Sequence, residues 1–409
     1  MTRAESLAES RYAWTRLGAA LALMTIGGSG MYVISVVLPL VQADFGVSRS
    51  DASLPYTFTM LGFGLGGVLM GRLSDRFGVM VPVLIGAVGL AAGFVAAGNA
   101  GSLWEFNLAQ GLLIGLLGTS ATFAPLVADI SLWFTRRRGI AVAICISGNY
   151  LAGAVWPPVM QQFIAGAGWR QTYIGIGVFC LAAMLPLALV LRRRPPIAAL
   201  PAAGVTPVAS GSEATLGLSP GVLQALLCIA GVSCCVAMSM PQVHIVAYCG
   251  DLGYGPARGA EMLSLMLACG IVSRLASGWI SDHIGGLRTL LLGSTLQMIA
   301  LFLFLPFTGL VSLYLVAALF GLFQGGIVPS YALIVREHFT PREAGARVGT
   351  VLMATLFGMA LGGWMSGAIF DYTGSYRAAF FNGIVWNLLN IGIVAFLLHR
   401  LRTRAALAG

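Results

Sequence analysis

The chain is a succession of long apolar runs separated by short polar turns. Runs near or above the roughly 20 residues needed to cross a bilayer recur from about residue 14 to about residue 400. Twelve spans are predicted, at 14–40, 54–73, 79–99, 103–132, 139–164, 169–191, 220–248, 257–281, 288–307, 309–335, 346–370 and 376–399. The runs are continuously apolar rather than alternating, which is the pattern of membrane helices and not of outer-membrane strands. The expected fold class is an all-α membrane protein with twelve transmembrane helices. The opening MTRAESLAESRYAWTRLG has no short apolar region followed by a small-residue cleavage site, so the first span is expected to be retained.

Composition agrees: 58% of residues are hydrophobic and 9% charged, against roughly 25% charged in soluble domains. All 23 basic residues are arginine. Under the twelve-span reading, eighteen fall on one face, and Arg49, Arg170, Arg258 and Arg377 fall on the other. The asymmetry predicts cytoplasmic termini by the positive-inside rule. The net charge of +9 is thereby read as topology and contact with anionic lipid. Nucleic-acid binding needs a solvated basic surface, which this pattern does not supply. Seven cysteines fall in or at the ends of predicted spans without metal-type spacing and read as small packing residues.

The chain also repeats itself. Gly71-Arg72-Leu73-Ser74-Asp75-Arg76-Phe77-Gly78 recurs 207 residues later as Gly278-Trp279-Ile280-Ser281-Asp282-His283-Ile284-Gly285, and Gly168-Trp169-Arg170 is echoed at the same offset by Ser375-Tyr376-Arg377. Two pseudo-symmetric halves of six helices are expected, 1–191 and 220–409. Residues 192–219 between them, rich in Pro, Gly and Ser after Arg192-Arg193-Arg194, read as a cytoplasmic linker. In parallel-repeat transporters the solute binds near the midplane, between the halves.

GRLSDRFG resembles the loop signature of the major facilitator superfamily, and the resemblance covers nearly the whole chain. Trp133-Phe134-Thr135-Arg136-Arg137-Arg138-Gly139-Ile140-Ala141, His244-Ile245-Val246-Ala247-Tyr248 and Asp251-Leu252-Gly253 are similar to its monocarboxylate-transporter-like and oxalate/formate-antiporter-like branch. The resemblance implies the major facilitator fold and a cytoplasmic gate. Gly71, Asp75, Arg76 and Asp129 are its candidates here, with Asp282 the degenerate counterpart. Gly71 and Gly78 are expected to permit a tight turn, and Asp75 to meet a helix N-terminus or an arginine.

Arg274 lies eight residues before Asp282, which places it roughly 12 Å inside the membrane boundary, near the centre of a core about 30 Å thick. An arginine at that depth is costly and marks a functional site. In the monocarboxylate-transporter branch an arginine on the eighth helix binds the substrate carboxylate, and Arg274 matches it. A planar guanidinium fits a carboxylate bidentately. Mammalian members add a lysine on the first helix and an aspartate one turn before this arginine. Here there is no lysine, Gly270 stands at the aspartate position, and residues 348–370 lack the second cation of the oxalate exchanger. One deep cation implies a monoanion.

His244 is the candidate proton carrier or solute ligand, because imidazole titrates near pH 6.5. Its alternative is a histidine satisfied within the helical bend at Pro241. Tyr32, Asn149, Gln324 and Tyr331 are further candidates for the solute wall, with helix–helix hydrogen bonding the alternative for each. Pro329 is expected to bend the wall near Tyr331.

The expected function is secondary transport of a small organic monocarboxylate by alternating access, coupled to a proton. The expected partners are that anion, the proton and the lipid bilayer. The setting is a bacterial-type inner membrane and the working unit a monomer. Rival readings are an anion exchanger without net proton movement, a drug or metabolite exporter, and a transport-inactive membrane sensor. No nucleophile–base pair or metal set suggests an enzyme, and neither cofactor nor metal is expected.

Overall fold

The computed structural model describes residues 9–134, 137–193 and 216–408, without the side chains of 341, 342 and 404–408. Most of the predicted linker lies outside the described residues. Helices account for the regular structure among them: α1 Arg11–Phe45, α2 Arg49–Phe77, α3 Met80–Gly98 and α4 Leu103–Trp133. Arg138–Val190 follows, 53 residues interrupted by Gly168 at φ 78°, ψ 163°. Its arms, 138–167 and 169–190, are α5 and α6. Then come α7 Pro220–Asp251, α8 Pro256–Ile284, α9 Gly286–Leu303, α10 Leu310–His338, α11 Pro341–Thr373 and α12 Tyr376–Ala408. With Arg138–Val190 taken as one, eleven helices among the described residues are long and apolar enough to cross a membrane.

Local chemistry sets where these helices begin and end. Ser48 caps α2 by accepting from the Asp51 amide at 3.1 Å, and Ser102 caps α4 by accepting from the Glu105 amide at 3.3 Å. The Glu105 carboxylate reaches back to the Gly101 amide at 2.7 Å, so two amides at this helix start are satisfied reciprocally. Gly78 and its repeat equivalent Gly285 end α2 and α8 with φ of 88° and 82°. Those values are open to glycine without steric cost.

The expectation for Gly71 is corrected. It lies inside α2, which continues through Phe77, and a Cβ at Gly71 would meet nothing within 4 Å. The turn belongs to Gly78 alone. Polar residues end a bilayer span without ending a helix, because Arg, Ser and Asp do not forbid helical backbone.

The chain divides into two compact units, Met1–Ala203 with Val246–Leu267, and Gly204–Ile245 with Ala268–Gly409. In unit 1, Phe45, Phe106, Trp169 and Tyr173 form an aromatic cluster with centroid separations of 5.6–6.4 Å. Gly62 lets α2 lie against α4, since a Cβ there would come within 2.1 Å of the Gly111 oxygen. In unit 2, Phe304 stacks on Phe380 at 4.7 Å and 9°, and Gly362 brings α11 against the Val236 carbonyl of α7. Close approach through small residues is how helices pack when the surroundings are as apolar as the side chains.

Candidate functional site

In unit 2, Arg274 is half-buried on α8, and its Nε–H donates to the Gly325 carbonyl at 3.4 Å. That carbonyl belongs to an interruption of α10 between Leu310–Gln324 and Ile327–His338. The glycines there press onto α8. A Cβ at Gly325 would stand 2.3 Å from the Gly270 oxygen, and one at Gly326 would stand 2.0 Å from the Ser277 side chain. The break is therefore at Gly325-Gly326 and not at Pro329. Pro329 falls in the first turn of the second piece, where a missing N–H is tolerated.

Gln324 immediately precedes the break and is fully buried. Its Oε1 accepts from Gln242 Nε2 at 2.9 Å, while its own Nε2 has no hydrogen-bond partner among the described residues. A buried amide donor left unmet is unfavourable by about 1–3 kcal/mol. A guanidinium and an unmet amide on either side of a helix break suit an incoming anion, which accepts from both.

His244 is fully buried on α7. Its Nε2 is 2.8 Å from the Gly363 carbonyl and its Nδ1 is 3.0 Å from the Tyr376 hydroxyl. A carbonyl only accepts, so Nε2 carries hydrogen; in the neutral ring Nδ1 then accepts from Tyr376. Tyr331, also fully buried, donates to Asn390 Oδ1 at 2.8 Å. Asn390 Nδ2 reaches Ser294 Oγ at 2.8 Å, and Asn387 Nδ2 reaches the Ser294 carbonyl at 2.8 Å. These bonds join α9, α10 and α12.

In unit 1, Tyr32 of α1 donates to Asn149 Oδ1 of α5 at 2.7 Å, so two predicted wall residues hold one another. The gate candidates behave differently. Asp129 is paired with Arg16, through Nε–Oδ2 at 2.7 Å and Nη2–Oδ1 at 2.8 Å. Arg16 also donates to the Arg193 carbonyl at 3.0 Å and lies 4.8 Å from the Trp133 ring centroid. Asp75, Arg76 and Asp282 are exposed and form no ion pair among the described residues. An apolar groove of about 580 Å³ lies between α1, α5 and α6, lined by Ile26, Trp156, Met160, Phe163 and Phe179 among others. It contains no charged side chain, so it suits an acyl chain better than a carboxylate.

Sequence reasoning assigns Arg16 to the cytoplasmic face and passes over Tyr376 as a ligand of His244. Asp129 inside an apolar span carries a signal, because a carboxylate there requires a cation on a neighbouring helix. Tyr376 carries none, since its pairing with His244 is set by tertiary packing.

The Major Facilitator Superfamily profile matches residues 20–316 and 262–408. The chain is 30% identical over 339 residues to monocarboxylate transporter 13 of Bos taurus, covering 80% of this chain and 75% of that one. It is 25% identical over 354 residues to the uncharacterized MFS-type transporter YcxA of Bacillus subtilis (strain 168), covering 83% and 84%. Among solved structures, it is similar to a bacterial homolog of the human lysosomal transporter Spinster in an inward-facing, unoccupied conformation. There the TM-score is 0.70 at 16% identity, covering 96% of each chain. It is also similar to a peptide transporter, POT, bound to alafosfalin, with a TM-score of 0.72 at 13% identity, covering 93% of this chain and 94% of that one.

Proposed function

The chain belongs to the Major Facilitator Superfamily, and from that premise we propose that it carries a small organic monocarboxylate by alternating access, with Arg274 anchoring the carboxylate. The observation that carries the reading is the half-buried guanidinium beside the α10 break, with the unmet Gln324 amide adjoining it in sequence. Relatives named monocarboxylate transporter 13 support the solute class. The reading includes twelve spans in two halves, 1–191 and 220–409, joined by a cytoplasmic linker, with Gly168 marking the turn between the fifth and sixth spans. Both termini face the cytoplasm of a bacterial-type inner membrane, and the monomer is the working unit.

Proton coupling runs through His244 in this reading. A proton added at Nδ1 needs an acceptor, and the Tyr376 hydroxyl, which donates to the neutral ring, can turn to accept. One observation favours the rival exchanger: both ring nitrogens already have protein partners. A neutral histidine fixed in this way serves packing without moving a proton.

The test is uptake of radiolabelled monocarboxylates and dicarboxylates into liposomes holding the purified full chain, with and without an inward proton gradient. Wild type is expected to take up monocarboxylates with stimulation by the gradient. Arg274→Ala is expected to lose about 10- to 100-fold, the equivalent of removing a hydrogen bond to a charged group. Uptake that needs a trapped counter-anion and ignores the gradient supports the exchanger. A folded Arg274→Ala that transports normally overturns the anchor.

A further inference from the structure

The 207-residue repeat pairs more positions than the sequence motifs alone suggest. Asp44-Phe45-Gly46, at the end of α1, corresponds to Asp251-Leu252-Gly253, at the end of α7. The two glycines share a left-handed backbone, with φ of 63° and 82°. Arg170 corresponds to Arg377, and Gly98 to Leu305. Arg170 donates to the Gly98 carbonyl at 3.3 Å, and Arg377 donates to the Leu305 carbonyl at 3.3 Å. In both repeats an arginine therefore meets a carbonyl at the C-terminal end of a helix, where a cation is favoured.

The carboxylates break this correspondence. Asp44 accepts from Arg170 Nε at 3.1 Å and Nη2 at 2.9 Å. Asp251, by the same rule, belongs with Arg377, yet it is held in unit 1 by Arg49. The contacts there are Nη1–Oδ2 at 3.0 Å and Nη2–Oδ1 at 3.3 Å. Arg49 itself has no repeat equivalent, since Pro256 occupies the corresponding position. Arg377 forms no ion pair among the described residues. One carboxylate thus has two candidate guanidinium partners, one observed and one assigned by internal symmetry.

We propose that Asp251 is a two-position latch: Arg49 holds it in the conformation described here, and during transport it moves to Arg377, into the place Asp44 occupies against Arg170. The two positions are nearly matched in kind, each offering a guanidinium near the non-cytoplasmic helix ends. Exchange between matched partners lets a conformational equilibrium shift without leaving a carboxylate unpaired in either state. Arg49 is the tighter holder, because its side chain is 10% exposed while that of Asp251 is 37% exposed. The latch is independent of which solute is carried.

The test reads conformation directly. Nitroxide labels are placed on Ala43→Cys and Ala257→Cys, both exposed positions, in full-length chain carrying Cys228→Ser and Cys269→Ser, and distances are measured by pulsed electron resonance in lipid nanodiscs. Wild type is expected to show a dominant short distance. Arg49→Gln should raise the long-distance fraction at least threefold, Arg377→Gln should lower it by a similar factor, and Arg49→Lys should resemble wild type. An Arg377→Gln distribution identical to wild type overturns the exchange. If Arg49→Gln lowers the melting temperature but leaves the distribution unchanged, the pair is a static tie and the proposal falls. Arg377 is exposed in its backbone-carbonyl contact, so its variant tests the latch even if Arg49→Gln folds poorly.

Discussion

Arg16 in unit 1 and Arg274 in unit 2 both sit on apolar helices, but they meet different surroundings. Arg16 is completely buried, locked bidentately to Asp129, and further bonded to the Tyr12 hydroxyl at 3.2 Å and the Arg193 carbonyl at 3.0 Å. Arg274 is half-buried, and its Nε meets the carbonyl of a broken helix. The carboxylate neutralises Arg16, whereas a backbone carbonyl orients a guanidinium without cancelling its charge. Depth along a span therefore does not by itself identify a functional arginine. What distinguishes the two is the kind of partner each meets, a buried carboxylate for one and a helix break for the other.

The largest expected effect breaks the Arg16 side of this comparison. Asp129→Ala leaves a buried guanidinium without its carboxylate and should cost about 3–5 kcal/mol of stability, read as loss of folded protein in thermal unfolding. The double replacement Arg16→Met with Asp129→Leu removes both charges and should recover most of that loss. Equal damage in the single and double variants would mean that the charges act through something other than each other.

Next in size is Gly325→Ala, which strikes the Arg274 side. The added methyl would stand 2.3 Å from the Gly270 oxygen and 3.1 Å from the Arg274 amide nitrogen. Overpacking of this kind costs about 1–3 kcal/mol, and uptake should fall with it as α8 is pushed from α10. Gly278→Ala, on the same helix with nothing within 4 Å of its new methyl, is the control and should leave both stability and uptake nearly unchanged. A tolerated Gly325→Ala would show that the contact between the break and α8 does not position Arg274.

Most of the helical layout is legible in the sequence because apolar runs of bilayer length and a recurring motif are local signals. Gly78 and Gly285 illustrate this, standing at matched motif positions and taking matched backbone angles. The break in α10 is different: Pro329 suggests it, yet it lies at Gly325-Gly326, because close packing against Gly270 and Ser277 decides it and neither contact is visible in a linear pattern. The same limit applies to Asp129, whose need for a cation is legible but whose partner is not. For Arg274, sequence depth and family resemblance indicate the residue, while the neighbouring Gln324 amide acquires its meaning only from burial.

That amide gives the smallest and sharpest test of the comparison. If an anion completes Arg274 as Asp129 completes Arg16, the unmet Gln324 donor should share in binding it. Gln324→Leu deletes a buried donor that lacks a partner, so stability should move by no more than about 1 kcal/mol in either direction. Solute affinity should fall by about fivefold, the equivalent of roughly 1 kcal/mol, seen as a raised KM for uptake with kcat little changed. A stable variant with unaltered KM would confine the anion to the guanidinium, and Gln324 would then pack against Gln242 without touching what is carried.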